Sequence, residues 1–166
     1  MSDVDPAKAI GRIASNFAAM ELVVSAAVGT LADVDLATVQ ELLADDSFDK
    51  VITKTRLIAR RRLSAEGFGI IDRWLTQAKV LGDRRSQVLH SAWVAAGPDV
   101  TAEQALVGFR LRKGEIRDQR LTPLELDRLA DEIWYAYKEL LGFMTETFMN
   151  QHRRECPAPS ESTSGD

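Results

Sequence analysis

Cysteine and histidine are nearly missing from this chain. Its 166 residues include one cysteine, Cys156, and two histidines, His90 and His152. A single cysteine cannot build a disulfide framework or a cysteine zinc site. The two histidines are far apart in sequence and no His-Glu-x-x-His occurs, so no metal centre is expected. A glycine-rich phosphate loop and a Gly-x-Ser-x-Gly elbow are also lacking, which leaves P-loop and α/β-hydrolase chemistry without support. The first residues, Met1 to Pro6, are acidic and do not show the basic-then-apolar order of a secretory signal. The longest apolar run, Ile13 to Ala32, carries Glu21 as its only charge. Ser15, Asn16, Ser25 and Thr30 interrupt it, so it reads as a buried helix and not a membrane span. A cytoplasmic protein with one domain is expected.

Charge is present but segregated. Residues 1–49 are strongly acidic, 50–85 strongly basic, 86–121 nearly balanced and 122–166 acidic, within a net charge of −4. Such a total makes a poor non-specific nucleic-acid binder. The basic stretch, which ends at Arg84-Arg85, is still compatible with RNA. It is equally compatible with a solvated helical face that forms salt bridges to the acidic flanks.

Apolar spacing is predominantly helical. Asp5-Pro6 forms a cap followed by proline at the first helical position. Ile13, Phe17, Met20, Val24 and Leu31 then form one stripe. Asp35, Ser47 and Ser64 are caps for three further helices, the second carrying Lys50, Lys54, Arg56 and Arg60 to Arg62 on its outer side. In the segment after Ser64 the stripe Ile71, Trp74, Ala78, Leu81, Arg85, Val88, Ala92 runs through Gly82 and predicts one helix stopped only by Gly97-Pro98-Asp99. Residues 105–121 change character, and a small β-hairpin or a basic arm carrying Arg110, Arg112 and Lys113 is expected. Thr122-Pro123-Leu124-Glu125 is a capping box before a last long helix. Trp74, Trp93 and Trp134 read as core residues. The fold expected is all-α, a bundle of four to five helices over residues 5–152 with that small insertion, followed by a disordered tail at 153–166.

Two charges break the apolar stripes. Arg85 falls on the core side of its helix, and Glu21 is the lone charge of the first. A lone buried charge is expensive, so the two are expected to meet within salt-bridge distance between packed helices. That pair is either a buttress or an orienter of an active-site arginine. Removing one member of a truly buried pair costs about 3–5 kcal/mol. His90 lies near them, beside Asp83, Arg84 and Ser86. Imidazole moves protons near neutral pH, and guanidinium holds phosphate. On one straight helix Arg85 and His90 point about 140° apart, so a second copy of the helix is expected to complete any shared site.

Arg85-Ser86-Gln87-Val88-Leu89-His90 resembles the arginine, polar residue and histidine signature of the HEPN superfamily, helical domains of prokaryotic toxins and defence systems. The stretch from Leu81 to Trp93 is similar to the motif helix of that family, and the first and last helices are similar in kind. The resemblance implies an HEPN-like bundle, a homodimer and a metal-independent endoribonuclease of toxin-antitoxin or phage-defence type that needs no cofactor. It implies that His90 and Arg85 are catalytic. Glu21, Asp83, Arg84 and Ser86 would support them, and Arg60, Arg61, Arg62, Arg110, Arg112 and Lys113 would contact RNA. Ser86 stands where active members often carry asparagine, and weak activity in isolation is expected. Ala92 stands where members modified by nucleotidyl-transferase antitoxins carry tyrosine, so that modification is not expected. The alternatives are a catalytically silent HEPN-like adaptor for RNA, a nucleotide or a partner protein, and a purely structural bundle.

Overall fold

The computed structural model describes residues 5–95, 106–112 and 115–155. These form five α-helices and one small antiparallel sheet. The order is α1 (Pro6–Ala32), α2 (Leu36–Leu43), α3 (Phe48–Arg62), α4 (Ala65–Leu89), β1 (Ala92–Ala95), β2 (Leu106–Arg112), β3 (Glu115–Leu121) and α5 (Pro123–Glu155).

Local chemistry fixes most of the boundaries. The Asp5 and Asp35 carboxylates and the Ser64 hydroxyl accept from backbone N–H groups of the first turns of α1, α2 and α4. Ser47 occupies the cap of α3 without a side-chain bond. At α5 the capping box closes: Glu125 accepts from the Thr122 N–H at 2.7 Å, and the Thr122 hydroxyl accepts from the Glu125 N–H at 3.1 Å. α5 continues to Glu155, so residues 153–155 extend a helix where the tail was expected; no proline interrupts before Pro157. Residues 156–166 lie outside the described part.

Helix α1 is the central column. Ile13, Phe17, Met20, Val24 and Leu31 are buried, most extensively against α5 and also against α3 and α4. By length and composition α1 could cross a membrane; here its apolar stripe is the core of the bundle. Arg12 ties α1 to α5 by ion pairs with Asp127 and Asp131, and the Asn16 amide donates to the Ala130 carbonyl at 2.9 Å. α3 runs in the same direction as α1, since Glu21 and Val51 share one cleft and Val28, Leu57 and Ile58 another. α4 runs back against both, with Lys79 paired to Asp49 and Asp72 to Arg56, which brings Gly82 level with Phe17. α5 reverses direction again, antiparallel to α4 and alongside α1: the Trp74 indole donates to the Ala136 carbonyl, and Arg84 pairs with Glu132.

The helix expected to run to Gly97 stops at Leu89, and Trp93 belongs to β1 instead. Tertiary pairing causes the break. β1 pairs with β2 in the register Trp93↔Gly108, and β2 pairs with β3. The Trp93 indole donates to the Val88 carbonyl at 2.8 Å, and the Ser91 hydroxyl donates to the Gln87 carbonyl at 2.6 Å. Both bonds occupy carbonyls that a longer helix would use. Gly108 makes room for the indole: a Cβ there would sit 2.9 Å from the ring. The expected hairpin is present as β2 and β3, with β1 as a third strand. Lys113 lies outside the described residues.

Candidate functional site

The site is built on the end of α4 nearest the sheet. Gly82 lets two aromatic rings close against α4, since a Cβ there would lie 3.1 Å from Phe48 and 3.3 Å from Phe17. Those rings meet edge to face with centroids 4.9 Å apart. One turn further on, the Arg85 guanidinium lies over the Phe17 ring with Cζ 4.9 Å from its centroid. Its Nε is buried and has no hydrogen-bond partner.

The expected salt bridge between Glu21 and Arg85 is not formed. None of the ion pairs among the described residues includes either side chain. Arg85 meets its burial by laying a flat, weakly hydrated cation on an aromatic face, and both side chains stay half-buried. Glu21 still feels Arg85 through space. Its carboxyl is pushed above the ordinary value of 4.5, chiefly by burial, with the Arg85 charge opposing the rise.

A pH-dependent stability follows. The folded-state value is raised, so this contribution is fully present below about pH 4.5, the ordinary value, and is lost as pH rises through the folded value. Glu21→Gln is therefore expected to raise the melting temperature at pH 7, with the gain shrinking toward pH 4. A variant less stable than wild type at both pH values, as a closed buried ion pair would give, would overturn this account.

The neighbouring residues have separate fates. Arg84 pairs with Glu132 on α5. Asp83 is exposed and contributes to the field that raises the Lys79 ammonium, whose main partner is Asp49 at 2.7 Å. Ser86 is half-buried, and its carbonyl accepts from the His90 N–H at 3.2 Å. His90 caps α4 at φ −102 and is exposed. Among the described residues no hydrogen bond or ion pair reaches its imidazole. Arg85 faces inward toward α1 while His90 sits at the exposed helix end, and no hydrogen bond or ion pair among the described residues joins them.

The basic residues fall into two groups. Arg60 lies over the Phe68 ring, 5.2 Å from its centroid, and Arg61 and Arg62 are exposed in the last turn of α3. α4 runs about 30 Å from its start beside them to Arg85, so this cluster stands at the opposite end of the bundle. Lower on α3, Lys54 pairs with Asp46 and Arg56 with Asp72; that part of the basic face is neutralised by salt bridges. The second group is on the sheet. Arg110 is half-buried and sits opposite Arg117 in register, while Arg112 sits opposite Glu115. Because β1 begins two residues after His90, this group lies at the His90 end.

A small cleft of about 180 Å³ opens between α1, α2 and the start of α3, with Glu21, Gln40, Asp46 and Phe48 among its walls. The sequence reading missed it. Its one legible trace was Glu21, a charge inside an apolar run. Larger hollows among the described residues include an apolar groove of about 360 Å³ beside Val39, Leu42 and Leu57, and one of about 640 Å³ between α4 and α5 near Arg73 and Glu146. Among the described residues, no group of three or more histidine, cysteine or acidic side chains is placed to hold a metal ion. No protein-family model, curated protein or solved structure matches the chain.

Proposed function

We propose that the chain is a metal-independent, HEPN-type endoribonuclease whose active site is composite, assembled from the α4 ends of two copies in the cytoplasm, with the role of a toxin or phage-defence effector. One observation carries this reading. An exposed imidazole with no hydrogen-bond or ion-pair partner among the described residues ends α4, five residues beyond a guanidinium whose buried Nε has no partner among them either. In this scheme His90 takes the proton from a ribose 2′-hydroxyl. The 2′-oxygen then attacks the adjacent phosphorus and the bond to the 5′-oxygen breaks. That oxygen takes up the proton His90 removed, now carried by its imidazolium, and a 2′,3′-cyclic phosphate remains on the upstream fragment. Arg85 of the other copy holds the phosphate. Arg110, at the same end, extends the contact along the RNA backbone.

A second reading is supported by a specific observation. Arg84 is already engaged by Glu132, and Arg85 is laid on Phe17. Both arginines then serve the fold, and the chain is a silent helical adaptor that offers partners the apolar groove at Leu42 and Leu57, which are 68% and 55% exposed.

Incubation with single-stranded RNA in EDTA, alongside sedimentation, separates the readings. The nuclease is expected to cut RNA, to spare DNA of the same sequence, and to sediment at about twice 18.4 kDa. An intact RNA band with a clean monomer favours the adaptor.

A further inference from the structure

The cleft beside Glu21 has features that neither the Arg85 stack nor the His90 helix end uses. It is walled by one carboxylate held partly out of water, one amide, one hydroxyl and one aromatic ring: Glu21, Gln40, Ser25 and Phe48. Its two acids already have positive counter-charges. Asp46 pairs with Lys54, and Glu21 lies in the field of Arg85. A further cation would meet those two charges, whereas a neutral group with hydrogen-bond donors would meet none of that repulsion. At about 180 Å³ the cleft is smaller than the roughly 300–1,000 Å³ of a site for a drug-sized ligand. It suits a single flat ring system.

We propose that this cleft is a base-recognition pocket for guanine, read by Glu21. Among the four RNA bases only guanine presents two adjacent donors on its Watson–Crick edge, a ring N–H and an exocyclic amine. A carboxylate, which only accepts when ionised, matches that pair bidentately. Adenine, cytosine and uracil each place an acceptor beside the donor. The Gln40 amide is suited to donate to the guanine carbonyl oxygen, and Phe48 supplies an apolar face for the base. The pocket also lies at a nucleotide's reach from the phosphate-binding arginine. Phe48 touches Phe17 at 4.9 Å between centroids, and Arg85 lies 4.9 Å above Phe17. The raised Glu21 carboxyl fits the same picture, because two ligand donors would replace the water that burial removed.

This inference deepens the ribonuclease reading and rests on it for the identity of the ligand as RNA, but it can be tested apart from cleavage. The full-length protein is titrated with guanosine monophosphate and adenosine monophosphate by calorimetry, and so is Glu21→Gln. Wild type is expected to bind the guanosine nucleotide about tenfold more tightly or better, in line with the value of a bidentate contact to a base edge. Glu21→Gln should erase that difference while melting at or above the wild-type temperature at pH 7. Cleavage sites mapped on mixed-sequence RNA should fall next to guanines. Guanosine binding that is sensitive to Glu21 without any cleavage would keep the pocket and sink the nuclease. Cleavage without base preference, together with equal or absent binding of the two nucleotides, would keep the nuclease and sink the pocket. Binding of arginine methyl ester in place of the nucleotides would make the cleft a cation site and also overturn the proposal.

Discussion

Replacing His90 by alanine is expected to lower RNA cleavage by about 10²–10⁴-fold, the usual value of a positioned general acid or base. The fold should survive. His90 is exposed at the end of α4, and no side-chain hydrogen bond among the described residues depends on it. Only its backbone N–H is used, and alanine keeps that bond to Ser86. A melting temperature unchanged beside an activity that is lost therefore separates chemistry from packing. Arg85→Lys is a graded companion: it keeps the positive charge but loses the guanidinium fork that holds phosphate on two oxygens. Cleavage by His90→Ala at the wild-type rate would remove the imidazole from the mechanism and leave the adaptor as the better reading.

Phe17→Ala should be the most damaging single change to the fold. The ring is 1% exposed, meets Phe48 edge to face, and is the surface on which Arg85 lies. Truncation of a buried phenylalanine costs about 3–5 kcal/mol, and at this chain length each kcal/mol lowers the melting temperature by about 2–4 °C. The loss has two parts, a cavity in the core and a guanidinium left with neither aromatic face nor ion pair. Phe17→Leu distinguishes them. It restores most of the volume but not the cation–π contact, worth about 0.5–2 kcal/mol. Chemical denaturation of both variants measures each part. A Phe17→Ala protein destabilised by less than about 1 kcal/mol would show that the ring is not the keystone of this end of the bundle.

Helices whose signals are local were legible in the sequence. Asp5-Pro6, Asp35, Ser64 and the Thr122 to Glu125 box each mark a boundary because a side chain three residues or fewer from its acceptor or donor decides it. The stripe of α1 was equally plain, since Ile13 to Leu31 faces the core along its whole length. The end of α4 was not. Ala92 keeps the helical period, yet β2 takes it into a strand, and that pairing depends on residues well beyond any local window. The same reason explains the site. That Glu21 and Arg85 approach each other could be inferred from two misplaced charges. That Arg85 settles on Phe17 instead of closing on Glu21 depends on the space opened by Gly82 and on Phe48 of α3, whose inward face the helical period marks but whose contact with Phe17 it does not. The cleft at Gln40 needs α1, α2 and α3 together and left only Glu21 as a trace.

The bond between Arg12 of α1 and Asp127 of α5 spans 115 residues of chain. During synthesis at about 5–20 residues per second, the apolar stripe of α1 therefore waits several seconds or more before its main partner exists. Through that interval α3 and α4 can cover part of the stripe, but the α5 side stays open. A nascent chain in that condition presents a long, nearly uncharged helix to whatever binds exposed apolar surface first. Chaperone capture, and loss of yield when α5 is shortened or delayed, are the consequences to look for in the cell, and they fall on folding speed and not on the finished protein.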